Sequence, residues 1–233
     1  MTRILIIGHG RMGRLVEQFA AQHSCEVAGI VDVGQQIATA APFDVAIDFS
    51  TAEAGVGNVA ALAAMAGPQG PALRGIGIVI GTTGWQAHES DVRDIAGRAN
   101  IGVLASANFS LGLNAFLLVV EEAARRFAPH ADYGAFIHEA HHIMKKDAPS
   151  GTALLLKSSM VNAGYAGAID ISSTRAGSIP GTHTVGFDGP ADSVTLTHTV
   201  RDRGVFAHGA LEAARWLQGR RGWFSMQDVL SQS

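Results

Sequence analysis

The sequence predicts an α/β chain: a doubly wound parallel sheet joined to a second, smaller α+β domain. Three observations predict it. The first hundred residues alternate short Val/Ile-rich runs with longer alanine-rich stretches. A glycine-rich turn, Gly8-His9-Gly10-Arg11-Met12-Gly13, lies between the first such run and the first helical stretch. Beyond Asn108 several β-like runs follow one another with no helix between them.

In chain order, the runs Ile4–Ile7, Val27–Val31, Val45–Phe49, Ile76–Ile80 and Ile101–Leu104 read as strands. They show little polar alternation, as strands covered on both faces do. Met12–Gln22, Ala52–Ala66 and Gln86–Ala99 read as the helices between them, giving the βαβα rhythm of a parallel sheet. The stretch after Asp32 is short and weakly patterned, so no helix is expected there. Pro68–Gly75 reads as a loop from its Pro and Gly content. Leu111–Phe127 carries Leu113, Phe116, Leu117 and Val120 on one helical face. Tyr133–His138 reads as a strand, and Gly151–Ala163 as a helix with Ser150 as its N-cap. Ile169–Arg175, Thr182–Phe187 and Ser193–Val200 read as strands of a mixed or antiparallel sheet, the last alternating Val194, Leu196, His198 and Val200 with Ser and Thr. Phe206–Leu217 is expected to be the final helix. The expected domains are 1–108 plus 207–233 and, between them, 109–206.

Composition narrows the function classes. The chain has 233 residues, 47% apolar and 16% charged, which supports a buried core and excludes a disordered chain. Lys plus Arg number 17 against 20 Asp plus Glu, for a net charge of -3, so nothing favours binding a nucleic-acid backbone. A single cysteine, Cys25, excludes an internal disulfide framework and reads as a buried structural thiol. No apolar run reaches the roughly 20 residues of a membrane helix, and no secretory leader is visible, so a cytoplasmic protein is expected.

The glycine turn carries the first chemistry. Following a strand and opening a helix, it is the dinucleotide fingerprint of a Rossmann-like fold. Its glycines let the backbone turn tightly and approach a pyrophosphate, and the helix start offers free N–H groups. Asp32 ends the second strand, where a carboxylate accepts hydrogen bonds from an adenosine ribose and repels a 2′-phosphate. Because Val33 follows, with no adjacent cation, NADH is favoured; Arg11 and Arg14 keep NADPH open. Gly81-Thr82-Thr83-Gly84 and Ser106-Ala107-Asn108-Phe109 each follow a parallel strand, where ligands of such sheets bind.

The richest segment runs from His138-Glu139-Ala140-His141-His142 through Lys145 to Ser150-Gly151-Thr152. A helix start at Gly151–Thr152, beside Lys145 and the histidines, suits a small dicarboxylate. Two other readings of the segment stay open: a metal bound by His138, His141 and His142, which Lys145 would oppose, and a plain polar surface loop.

The run Glu139-Ala140-His141-His142-x-x-Lys145-x-Asp147-Ala148-Pro149-Ser150-Gly151-Thr152-Ala153 resembles the signature of the 4-hydroxy-tetrahydrodipicolinate reductase (dihydrodipicolinate reductase) family. Gly8–Gly13, Asp48-Phe49-Ser50, Gly81–Gly84, Ala107–Ser110, Arg175–Gly177, Gly181–Thr184 and Phe206–Ala210 continue the resemblance in order. The resemblance implies NAD(P)H-dependent reduction of (2S,4S)-4-hydroxy-2,3,4,5-tetrahydrodipicolinate to 2,3,4,5-tetrahydrodipicolinate plus water, in lysine and diaminopimelate biosynthesis. It implies a homotetramer whose central domain binds substrate. It makes His141 the proton donor, Lys145 the second catalytic group, and His142, Gly151 and Thr152 substrate ligands. Gly8, His9, Gly10, Arg11, Met12, Gly13, Asp32, Gly81, Thr82, Thr83, Ser106, Ala107, Asn108 and Phe109 would contact the cofactor. The chain departs from the family pattern in a shortened stretch after Asp32 and in Ile143-Met144 between the histidines and Lys145. A different dehydrogenase, a dinucleotide sensor and a metal hydrolase are the rival functions.

Overall fold

The structure is a computed structural model and describes residues 1–37, 41–66 and 76–231. The chain forms two compact units, Met1–Leu111 with Gly204–Ser233 and Gly112–Arg203.

In the first unit, strands β1 (Thr2–Ile7), β2 (Cys25–Val31), β3 (Val45–Asp48), β4 (Gly77–Ile80), β5 (Gly102–Ala105) and β10 (Gly222–Phe224) form one parallel sheet. Their order is β10-β5-β4-β3-β1-β2. Both faces are dry. Ile4 and Ile6 of β1, with Ile47, Val79 and Leu104, face one core that includes Val16 of α1 (Arg11–Phe19) and Ala207, Ala210, Leu211 and Ala214 of α6 (Gly204–Leu217). Leu5 and Ile7, with Ile78, Ile80 and Val103, face the opposite core under α2 (Ala52–Ala66) and α3 (Glu89–Ala99). Alternate side chains leave a strand on opposite faces, so two covered faces turn the strand sequence into an unbroken apolar run. Each fully buried Leu or Ile contributes about 1.5–3 kcal/mol.

The expected strands and helices of this half are present, with shifted ends. Helix α1 stops at Phe19, and a 3-10 turn, Ala20–His23, finishes the predicted stretch. Another such turn, Gln86–His88, precedes α3. The chain bends at Val33-Gly34 after β2, with no α-helix in residues 32–37 or 41–44. The expected loop Pro68–Gly75 lies outside the described residues. Phe206–Leu217 is not the final helix: α6 begins at Gly204, and β10 and α7 (Met226–Leu230) follow it. Both late elements are too short for a hydrophobic period to register. Cys25 is buried, as expected, and burial pushes its thiol up to about 11.

In the second unit, β6 (Gly134–His141), β7 (Ile169–Arg175), β8 (Thr182–Asp188) and β9 (Ser193–Thr199) form a sheet ordered β7-β6-β8-β9. Strand β7 runs parallel to β6, and β8 and β9 run antiparallel to their neighbours. One face carries Ala135, Ile137, Val185 and Phe187 and packs on α4 (Leu111–Phe127) and α5 (Gly151–Asn162) through Leu117, Val120, Leu156 and Met160. The other face is a threonine ladder in which Thr182 bonds Thr199 at 3.1 Å and Thr184 bonds Thr197 at 2.9 Å. Strand β6 runs three residues beyond the predicted His138. Its polar end is still strand because β7 and β8 pair with it on both sides. No helix among the described residues is long and apolar enough to cross a membrane.

Candidate active site

In the first unit the sheet order reverses direction at β1: β2 lies on one side and β3 on the other. Such a switch point opens a crevice beyond the strand ends. The crevice here is about 560 Å³, lined by Gly8, Gly10, Asp32, Val33, Phe49, Ser50, Thr51 and Asn58 among others. Gly8 has φ +87°, and a Cβ there would lie 2.7 Å from the Phe49 carbonyl oxygen. At Gly13 a Cβ would lie 2.1 Å from the Gly8 oxygen, so helix α1 meets the turn only because that residue is glycine. Gly10 caps α1 with no side-chain hydrogen bond and has nothing within 4 Å of its Cβ position. The first N–H groups of α1 thus lack a side-chain cap, a donor set that suits a pyrophosphate. Asp32 is exposed at the end of β2, its Oδ1 accepting from Val33 N at 2.9 Å.

Asp48, given no role by sequence reasoning, organises the next loops. Fully buried, it accepts from Ser50 N at 2.8 Å, Asn58 Nδ2 at 2.9 Å and Thr82 Oγ1 at 3.1 Å. It thereby ties the β3 loop, helix α2 and the Gly81–Gly84 loop together. A Cβ on Gly81 would lie 2.1 Å from the Phe49 ring, which fixes that loop's approach. Ser106 Oγ donates to the Asn108 oxygen at 2.8 Å, and Asn108 Oδ1 accepts from Ser110 N at 2.9 Å. Of the residues predicted for the cofactor, Gly8, Gly10 and Asp32 line the crevice. His9 pairs with Glu17 at 2.7 Å, Arg11 and Thr83 are exposed, and Met12 and Phe109 pack in or against the core.

In the second unit, the face of β6 that carries Ala135 and Ile137 continues as Glu139 and His141, beyond the apolar packing. Opposite them in register stand Arg175 on β7 and His183 on β8. Glu139 is fully buried, and His141 and His183 nearly so. Glu139 accepts from Arg175 Nη2 at 2.7 Å, Arg175 Nη1 at 2.9 Å, Ser150 N at 3.3 Å, and the His141 ring through Nδ1. Burial alone would raise the Glu139 carboxyl; its hydrogen bonds from Arg175, Ser173 and His141 overcome this and hold it at about 2. For His141, burial lowers the pKa most, Glu139 opposes, and Lys145 and Arg175 add to the lowering.

Ser150 caps α5 as predicted, its Oγ accepting from Ala153 N at 3.2 Å and meeting His183 Nε2 at 3.1 Å. Gly151 is exposed and a Cβ there would meet nothing within 4 Å, which leaves the start of α5 open to an anion. Lys145 Nζ pairs with Asp147 at 2.8 Å, and its backbone N–H donates to the His142 oxygen at 3.1 Å. Thus the structure gathers Glu139, His141, Ser150, Arg175 and His183 into one hydrogen-bonded network, while Lys145 pairs with Asp147 and bears on His141 through its charge. His138 does not join it: it points to the opposite face of β6 and bonds Ser172 at 2.9 Å. A metal held by His138, His141 and His142 is therefore not the arrangement found. Glu139, His141 and His183 do bring ligand atoms within 4.8 Å of one another. The Glu139 oxygens are already taken by Arg175, His141 and Ser150, and two cations stand beside the cluster, which opposes a dication.

Family models for the N-terminus and the C-terminus of dihydrodipicolinate reductase match residues 2–109 and 112–230. The chain belongs to the dihydrodipicolinate reductase family. A 4-hydroxy-tetrahydrodipicolinate reductase of Christiangramia forsetii is 33% identical over 241 residues, spanning 98% of this chain and 97% of its own. One from Caulobacter vibrioides is 36% identical over 260 residues, spanning 98% and 97%. Among solved structures, a dipicolinate-bound dihydrodipicolinate reductase from Paenisporosarcina sp. TG-14 superposes with a TM-score of 0.78 at 20% identity, over 97% of each chain, a likeness of fold.

In this dihydrodipicolinate reductase family member, sequence reasoning misses roles for Asp48, Glu139, Arg175 and His183. The signal for Glu139 is its period-two spacing to His141, which stays hidden when the strand is ended at His138. His183 carries a stability consequence. Burial, then the neighbouring His141, pushes its pKa down from 6.5 to about 4. Between those values the unfolded chain binds a proton that the folded chain does not, so stability falls as the pH falls through this window. The loss reaches about 3 kcal/mol at the lower end. Urea unfolding at pH 7 and pH 4.5 measures it, and His183→Gln is expected to flatten the difference; equal pH dependence in both proteins would clear the ring.

Proposed function

We propose that this protein reduces (2S,4S)-4-hydroxy-2,3,4,5-tetrahydrodipicolinate to 2,3,4,5-tetrahydrodipicolinate and water with NAD(P)H, the reductase step of lysine and diaminopimelate synthesis. The observation that carries the reading is the buried His141, bonded at Nδ1 and set beside Lys145 and the open start of α5, in a chain whose two parts both match that reductase family.

When bound on the glycine turn, a reduced nicotinamide supplies a hydride. Lys145 leaves Asp147 for a substrate carboxylate, and the N–H groups of Gly151 and Thr152, with His142, hold the second anionic end. Loss of water from the 4-hydroxy ring gives a C=C bond conjugated to C=N. As the hydride's electron pair enters at C4, electron density moves along that system. His141 then delivers its Nε2 proton to the adjacent ring carbon, and C=N is restored. Lys145 offsets the negative charge that builds up meanwhile. The assay supplies aspartate semialdehyde and pyruvate to the preceding synthase and follows dihydronicotinamide absorbance. Loss of absorbance that depends on the synthase supports the reading; none with either nucleotide overturns it.

The Asp32 carboxylate, with Val33 after it, supports NADH as the preferred nucleotide. Asp32→Ala is expected to weaken NADH binding by about 10-fold to 100-fold, the worth of hydrogen bonds to a charged group. NADPH binding should hold or improve. An unchanged ratio of the two dissociation constants, measured by titration, would remove Asp32 from the ribose site. A homotetramer is proposed on family membership and on the second sheet's threonine face, where Thr195, Thr197 and Thr199 are exposed; light scattering on the eluting protein tests it.

A further inference from the structure

We propose that Glu139 and Arg175 are positioning residues for His141: the carboxylate fixes its ring with the proton on Nδ1 and leaves Nε2 as the reacting atom, and the guanidinium moderates the carboxylate's pull. The inference rests on the acid role proposed above for His141.

An ionised carboxylate accepts hydrogen bonds and donates none. Glu139 is kept ionised by hydrogen bonds from Arg175, at 2.7 and 2.9 Å, from Ser173 and from His141 itself, so its charge does not rest on Arg175 alone. The ring nitrogen against Glu139, Nδ1, therefore carries the proton whether His141 is neutral or charged. The other nitrogen, Nε2, faces Gly181, where a Cβ would lie 3.4 Å away. The sheet makes this arrangement rigid. Glu139 and His141 project from one face of β6, and Arg175 stands directly across from His141 on β7. Arg175 is itself held by the Thr174 and Asp147 carbonyl oxygens, and Glu139 also accepts from the N-cap residue of α5, Ser150. A fixed partner on one imidazole nitrogen is how a protein selects a histidine tautomer.

The charges about His141 are Glu139 on its own strand, Lys145 in the following loop, Arg175 on β7 and the neutral-leaning His183 on β8, behind which His198 pairs across from β9. Asp147 answers Lys145. Glu139 is thus the one anion bonded to the ring among the described residues. An acid must give its proton up, and an uncompensated carboxylate would hold that proton too firmly. Arg175 prevents this, so the two residues push His141 in opposite directions.

The test has two parts. Imidazole nitrogen NMR of the folded wild type, assigned with His141→Gln, is expected to show His141 with Nδ1 protonated and Nε2 bare above its titration. The reverse tautomer would overturn the proposal, and this readout needs no turnover. In steady-state kinetics, Glu139→Gln keeps an acceptor oxygen but removes the charge. The high-pH limb of kcat/KM should move to lower pH by about one unit or more. Turnover at pH 7.5 should fall about 10-fold to 100-fold, part of what a general acid contributes, with the KM for NADH unchanged. Arg175→Met should move the same limb to higher pH. Limbs that stay in place, or both move one way, would overturn the proposal. If the wild type turns over neither nucleotide, the reductase reading fails, and the tautomer still decides this inference.

Discussion

Turnover of the His141→Gln protein is expected to fall by about 10²–10⁴, the range a positioned acid supplies. Glutamine keeps a donor within the reach of the Glu139 carboxylate but has no proton to give at neutral pH. His141 is 9% exposed and sits at the last position of β6, so the swap leaves the apolar packing of Ile137, Val185 and Phe187 intact. The melting temperature should therefore move little. Dinucleotide binding should be unchanged, because the glycine turn belongs to the other compact unit. Protein fluorescence titrated with NADH checks binding, and the synthase-coupled assay checks turnover. A His141→Gln enzyme with wild-type kcat would end the acid assignment.

Gly209→Ala is expected to destabilise the first unit by about 3 kcal/mol or more, the upper end of what overpacking costs. At this chain length that lowers the melting temperature by roughly 6–12 °C. Helix propensity alone predicts the opposite sign, since glycine to alanine inside a helix such as α6 gains up to about 1 kcal/mol. The contact decides. A Cβ on Gly209 would lie 1.6 Å from the Phe109 carbonyl oxygen and 2.8 Å from its carbon. Backbone cannot swing aside as a flexible side chain would. Phe109 is itself core, 2% exposed and edge-on to Phe49 at 6.1 Å. Pushing it outward strains the Ser106–Ser110 loop and the Phe49 ring under Gly81. Gly10→Ala is the control, since nothing lies within 4 Å of its Cβ position. It should melt near the wild type yet bind dinucleotide more weakly. Equal melting of both variants and the wild type would refute the packing argument.

The parallel sheet is legible in the sequence because two dry faces force unbroken Val/Ile runs, and the glycine turn because close packing at Gly8 and Gly13 admits no side chain. The mixed sheet is legible because its last three strands follow one another with no helix between them, the last alternating Val194, Leu196 and His198 with Ser and Thr. Partnership across strands is not. Asp48 reads as one more acidic residue until Ser50, Asn58 and Thr82 are seen to converge on it. Arg175 lies 36 residues from Glu139, and only strand register makes them neighbours. The end of β6 escapes a sequence reading because a polar run looks like loop while its pairing strands are unknown. Lys145 reads correctly as a cation near the histidines, but not as one already paired with Asp147.

The divided first unit also fixes an order of completion during translation. Residues 112–203 leave the ribosome as one contiguous piece, free to finish their own core. The nucleotide-fold half cannot finish then, because helix α6, with eight buried residues, is synthesised afterwards. A nascent chain paused near Arg203 therefore carries a parallel sheet with one flank short of its cover, and α6, β10 and α7 act as the latch that closes it.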